Sequence, residues 1–202
     1  MTKNKKIALY VIGGLILLFL IFTSFIKNTY NNMVMLEENV KAKWSQVENV
    51  YQRRFDLIPN LVETVKGYAV HENKTFENIA QARAKVGGTF NISEKVLNDP
   101  AMFQKFQEAQ NSLGGALQRL MAISENYPDL KANQNFLALQ NQLEGTENRI
   151  AVERGRFNET AKGYNIYIKQ FPRALIARIF NFSEKLYFKS VPGAQTAPKV
   201  EF

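Results

Sequence analysis

The sequence predicts an all-α protein, in which an N-terminal transmembrane helix continues into an antiparallel up-and-down helical bundle with a long, kinked first helix. Three observations predict it. Residues 7–26 run for 20 positions without a charge, apolar residues then recur at intervals of seven through three long stretches, and the strong turn signals fall between those stretches. With 202 residues and 46% apolar content, the chain is long enough for one domain with a buried core. It has no cysteine, which excludes disulfides, thiol nucleophiles, thiolate metal sites and a lipid-modified N-terminal cysteine.

At ~1.5 Å per residue, residues 7–26 match a hydrocarbon core of about 30 Å. The run is too long for the apolar region of a signal peptide, and Phe22-Thr23-Ser24-Phe25 lacks a small-residue cleavage site, so a retained anchor is expected. Lys3, Lys5, Lys6 and the α-amine crowd one flank of this run, against Lys27 alone close by on the other. That bias places the N-terminus in the cytoplasm and the domain outside it, in the periplasm of a Gram-negative source. The expected division is a basic tail at 1–6, the anchor at 7–26, a bundle at 27–188 and a flexible tail at 189–202.

The net charge of +8 is unevenly spread. Residues 1–27 carry four Lys and no acid, residues 28–170 carry 17 basic against 16 acidic side chains, and residues 171–202 carry five against two. A nearly neutral body with basic ends points to lipid headgroups and away from nucleic acid, which requires a basic stripe on the folded domain.

Beyond the anchor, Trp44, Tyr51, Ile58, Val65, Ile79 and Val86 share one register, with Val40, Val47, Leu61 and Tyr68 beside it. This predicts one helix running to Gly87-Gly88 and kinked, not broken, at Pro59, because the register passes through the proline without slipping. A polar connector to about Asn98 follows. Asp99-Pro100, a capping carboxylate before a first-turn proline, starts the second helix, which buries Phe103, Phe106, Leu113, Leu117, Leu120 and Ile123 and closes at Tyr127-Pro128. The third, from about Leu130 to Gln170, places Phe136, Leu143, Ile150, Phe157, Tyr164 and Phe171 at sevens. Phe171-Pro172 ends it, and Arg173–Phe180 forms a short fourth helix.

The stretch Arg53-Arg54-Phe55-Asp56-Leu57-Ile58-Pro59-Asn60 sets two cations and a carboxylate within this apolar periodicity. On the third helix, Glu147, Glu153 and Arg154 flank the apolar seam, and unpaired buried ions are costly. The expected structural role is therefore pairing of Arg53 and Arg54 with those carboxylates, which fixes helix register. The alternative is a site for an anion or a partner's carboxylate at Arg53–Asn60. Tyr127, Asn135, Asn148, Asn158 and Asn165 are expected to satisfy helix ends or one another. Phe171, Arg173, Arg178, Phe180, Phe182, Tyr187 and Phe188 form a basic, aromatic segment that reads either as a binding patch or as packing. His71-Glu72 lacks the second histidine of a zinc helix, since position 75 is Thr, and Tyr68 stands where a di-iron motif needs Glu. No metal, cofactor or catalytic residue is expected, and with no nucleophile–base pair an enzyme is the weakest reading.

Arg53 to Val62, with Val65-Lys66-Gly67-Tyr68-Ala69 and His71-Glu72, resembles the LemA family. So do Tyr127-Pro128-Asp129-Leu130-Lys131-Ala132, Asn135-Phe136, Leu143 to Ile150, Arg156-Phe157-Asn158, Tyr164-Asn165 and Phe171-Pro172. The match spans roughly residues 30–188 and departs at Phe157, where the family often has Tyr. The resemblance implies a single-pass protein of the bacterial inner membrane with an antiparallel helical bundle and no established enzymatic function. It also implies, by family analogy, an envelope partner such as a TPM-domain protein or membrane metallopeptidase.

The function expected from all this is a non-enzymatic, membrane-anchored helical scaffold or adaptor that self-associates. A first helix continuous from Asn28 to Val86 would be roughly 90 Å long at ~1.5 Å per residue, more than a second helix of ~40 Å covers, so its surplus seam is expected to meet another copy. The alternative is a sensor or regulatory subunit that binds a partner protein or small anion at the kink.

Overall fold

The structure, a computed structural model, describes residues 3–88 and 96–189. Its helices are α1 (Lys3–Lys66), α2 (Asn73–Gly87), α3 (Pro100–Ile123), α4 (Pro128–Ala132), α5 (Gln134–Lys169) and α6 (Arg173–Ile179), with a 3-10 turn at Ser124–Asn126. The described residues contain no strand, and the fold is all-α. Residues 1–2, the connector at 89–95 and the tail from Ser190 lie outside the described residues.

α1 is 64 residues long and crosses Pro59 unbroken. Proline in a helix interior costs ~3 kcal/mol through one missing hydrogen bond and a clash. Ile58 and Leu61 on either side are buried, and burial of such side chains contributes ~1.5–3 kcal/mol each, enough to offset the cost. Pro59 itself faces solvent.

The expected continuation of this helix to Val86 is overturned. α1 stops at Lys66 and the chain reverses through residues 67–72, where Tyr68 and Ala69 N–H both donate to Val65 O at 3.0 and 2.9 Å. Ala69 is fully buried in the turn, and Asn133 Nδ2 donates to Tyr68 Oη at 2.8 Å. The reason lies at position 72. The register that runs through Ile58 and Val65 requires an apolar residue there and meets Glu72, so a continuous helix would bury a carboxylate. Reversal lets α2 return antiparallel to α1: Lys66 lies over the Phe76 ring at 5.7 Å and Arg83 over the Phe55 ring at 4.2 Å. Phe76, Ile79, Ala82 and Val86 are buried against the same chain. The surplus helix is thus covered internally, and the length argument for self-association loses its premise.

α1 and α5 form the longest pairing. Trp44 meets Phe157 at 5.5 Å between ring centroids and, ten residues on, Arg54 meets Glu147, so the two run antiparallel without slip. α3 lies parallel to α1, with Phe106 beside Trp44 and Tyr51 at 5.3 Å in each case. Its start is as expected: Asp99 Oδ1 accepts from Ala101 and Met102 N–H at 2.8 and 3.1 Å, with Pro100 in the first turn. The third predicted helix is divided, because Asn133 adopts extended geometry and caps α5 by accepting from Phe136 N–H at 3.0 Å.

The fourth side of the bundle is filled in two halves. α2 covers the half around Ile58, Leu61 and Val65, whereas an extended strap, residues 182–189, covers the half around Met33, Val40 and Trp44. Asn181, at φ 59°, turns the chain from α6 into this strap, and Phe182 N–H closes the helix end on Ala177 O at 2.9 Å. Phe188 then stacks on Trp44 at 5.8 Å and meets Phe103 and Phe157 at 5.1 and 5.6 Å. If the strap is part of the core, Phe188→Ala lowers stability by about 3 kcal/mol. Phe171→Ala, at a side chain 82% exposed, changes it little. Urea unfolding followed by circular dichroism in mild detergent checks the pair.

Candidate functional site

Arg53 and Arg54 are neighbours on a helix, about 100° apart at ~3.6 residues per turn, so only one can face the core. Arg54 does, and is 3% exposed; Arg53 points to solvent. Arg54 Nη1 donates to Glu147 Oε1 on α5 at 2.9 Å, and Nη2 donates to Gln110 O on α3 at 3.1 Å and also to Gln110 Oε1. The guanidinium lies 5.1 Å from the Tyr51 ring centre. Three helices are thereby joined at one side chain, between the two halves of the core. Gly114 of α3 lies beside this group, where a Cβ would stand at ordinary contact distance, 3.7 Å from Arg54 Nη1.

The other charged residues do not converge as expected. Glu153 pairs with Arg156 at 2.6 Å on its own helix, not with Arg53 or Arg54. Asp56 accepts from Gln52 Nε2 at 2.7 Å on the outer face, and Pro59 and Asn60 are exposed. Arg154 donates to Lys189 O at 3.0 Å and covers the Phe188 ring at 4.6 Å, so it holds the strap. Tyr51, Arg54, Gln110, Gly114, Glu147 and Arg154 together line an open cleft of about 360 Å³. Burial pushes the Tyr51 hydroxyl above its usual range, with the Arg154 and Arg54 charges opposing that shift.

A second polar centre was not anticipated. Asn165 and Asn158, one heptad apart on α5, clamp the strap by its main chain: Asn165 binds Lys185 O and N–H at 2.8 Å each, and Asn158 binds Phe188 O and N–H at 2.9 Å each. Lys185 Nζ is buried and donates to Glu37 Oε1 on α1 at 2.6 Å and to Asn98 Oδ1 at 2.8 Å. The signal was an amide following each of the core aromatics Phe157 and Tyr164, an acceptor–donor pair aimed at a backbone and not at helix ends. Tyr164, alongside, is raised well above its usual pKa, first by burial and then by the Glu37 charge, and its hydroxyl has no hydrogen-bond partner among the described residues.

The basic aromatic segment divides. Phe188 is core and Phe182 is half-buried beside Tyr30 at 5.7 Å, so the patch reading does not hold for them. Phe171, Arg178, Phe180 and Tyr187 are exposed, and Arg173 lies over the Tyr167 ring at 4.1 Å. His71 is exposed, and the described residues hold no group of three or more His, Asp or Glu placed to bind a metal.

A bundle of this order, with the Arg54–Glu147 pair at its centre, can be set beside known proteins. The LemA family's sequence profile matches residues 43–202. This chain belongs to the LemA family. It is 31% identical over 182 residues to the magnetosome protein MamQ of Magnetospirillum gryphiswaldense, covering 83% of this chain and 67% of that protein. It is as similar, with the same coverage, to MamQ 2 of Paramagnetospirillum magneticum. Protein LemA of Metamycoplasma hominis is 26% identical over 141 residues, or 69% of this chain and 60% of its own length. The uncharged run at the start of α1, exposed from Tyr10 to Phe22, fits a membrane anchor on this LemA-family bundle.

Glu147→Ala leaves a buried guanidinium on neutral acceptors and, since Glu147 itself is half-exposed and water can take its place, should cost about 1.5–3 kcal/mol, more than Arg54→Met, which removes the charge itself. Thermal unfolding of the two variants in detergent checks the order. Raised tyrosine pKa values mean that the unfolded chain loses its phenol protons first as pH rises. The associated stability is complete below about pH 10 and lost above it. Tyr164→Phe, which also removes an unpartnered hydroxyl, should flatten that alkaline fall without loss at neutral pH.

Proposed function

We propose that the protein is a non-enzymatic, single-pass scaffold, anchored through α1 with its N-terminus in the cytoplasm and its bundle outside the inner membrane, and that it self-associates there. The observation that carries the reading is that α1 is one helix from the anchor into the bundle core, so the domain has no linker on which to swing. Such a body transmits the position of the membrane to whatever packs against it. The partners in this reading are the bilayer, further copies and, by family analogy, another envelope protein.

Self-association is supported by the outer face of α5. Gly145, Gly155 and Gly163 sit mid-helix with open space where a Cβ would stand, alongside the exposed Val152 and Ile166. Each glycine costs the isolated helix about 1 kcal/mol relative to alanine, and nothing within the chain requires it. A neighbouring helix approaching closely would. Replacing all three with Ala should raise the stability of each protomer and weaken assembly, read as particle mass in nanodiscs by single-particle imaging. Stable variants that assemble as before would remove α5 from the interface, and uniform monomers of the unaltered chain would end the scaffold reading.

A second reading has an observation of its own: Arg54 and Arg154 line one cleft that contains a single carboxylate, Glu147. That suits a regulatory subunit taking a small anion or a partner's acidic side chain. Arg54→Ala that stays folded but loses partner capture would favour it; global destabilisation would assign Arg54 to helix register.

A further inference from the structure

The apolar surface left open by the bundle is concentrated at one end. Phe171, Leu175 and Ile179 are 82%, 58% and 72% exposed and follow at intervals of four, so they line one side of α6 and the turn leading into it. Arg178 is exposed within the same stripe, and the opposite side of α6 holds Ile176 and Ala177, which are buried in the core. On α5 the exposed Leu137, Val152 and Ile166 are 14 or 15 residues apart and form no comparable continuous apolar stripe.

The place of this stripe is fixed by α1. Tyr30 packs on Phe180 and Phe182 at 4.9 and 5.7 Å, and Ile26 touches the same core cluster, so α6 lies beside the first turns of α1 beyond its uncharged run. That run ends at Ile26, and Tyr30 lies only about 6 Å farther along the axis at ~1.5 Å per residue. The polar headgroups add roughly 5–8 Å per leaflet to a hydrocarbon core of ~30 Å. With α1 crossing the bilayer, α6 is therefore held at headgroup height, where an apolar stripe flanked by cations suits the boundary between acyl chains and phosphates. Tyr30 and Phe180 add the aromatic rings that favour this layer, and Lys27 and Arg178 supply charge for the phosphates.

We infer that α6 is a second membrane contact, in which Phe171, Leu175 and Ile179 insert into the surface of the leaflet from which α1 emerges. The inference rests on the reading of α1 as a membrane span. A helix crossing alone leaves rotation about its axis free, whereas a second contact beside it fixes which face of the bundle looks along the membrane.

The chain has no cysteine, so single probes can be placed cleanly. Leu175→Cys, Phe19→Cys and Lys105→Cys would each carry an NBD fluorophore on the full chain in liposomes containing anionic phospholipid. The liposomes would also carry lipid nitroxides either near the headgroup or deep in the acyl chain. Insertion of ~5–10 Å should let the shallow nitroxide quench the Leu175 probe roughly twofold, while deep nitroxide quenches Phe19 and neither affects Lys105. If Phe19 is quenched but the probe at 175 stays open to aqueous iodide, the second contact is wrong and the anchor stands. If the probe at 175 is shielded from iodide and lipid alike, protein covers the stripe and the inference is equally overturned. A Phe19 probe untouched by deep nitroxide would overturn the anchor itself.

Discussion

One helix must satisfy two solvents. The first part of α1 is apolar on every side and the rest only along a seam, and because the helix does not break between them, the bundle is built around a rod whose direction is set outside it. α5, α3 and the strap all take their register from that rod. A helix of this length is secure because its interior bonds are local and its seam is covered by α5 and α3, with the strap and α6 beside its first half and α2 beside its second.

The Arg54 centre shows how register is held in an otherwise apolar bundle. A seam of Leu, Ile and Phe tolerates sliding by one heptad, since one apolar layer resembles the next. A guanidinium that fits only where Gln110 and Glu147 face each other does not tolerate it. The strap clamp at Asn158 and Asn165 performs the same task for a segment with no helix periodicity of its own.

Much of the fold was legible in the sequence because each signal was local. The uncharged run, the cap at Asp99-Pro100, the stop at Phe171-Pro172 and the sevens of α5 depend on residues close in sequence. The reversal at 67–72 is marked only by single residues: Glu72 falls where the register needs an apolar side chain, and Gly67 opens the turn, while the apolar spacing resumes beyond them at Ile79 and Val86. The strap was missed because its structure is not periodic; Lys185 looks like a surface lysine until Glu37, 148 residues away, is brought beside it. Of the charged candidates, Arg54 and Glu147 were brought together across 93 residues, while Glu153 found a partner one turn away. Sequence alone cannot rank a distant carboxylate against a near one.

Anchor and bundle share one uninterrupted helix, and a distance measurement in the bilayer tests this. Spin labels at Phe19→Cys and Gln46→Cys, both on exposed positions of α1, flank the passage out of the membrane. Pulsed electron resonance on the full chain in nanodiscs should give one narrow distribution centred at about 40 Å, the rise of an unbroken helix at ~1.5 Å per residue. A broad distribution, or one centred well below that distance, would mean a hinge between span and domain and would contradict the account.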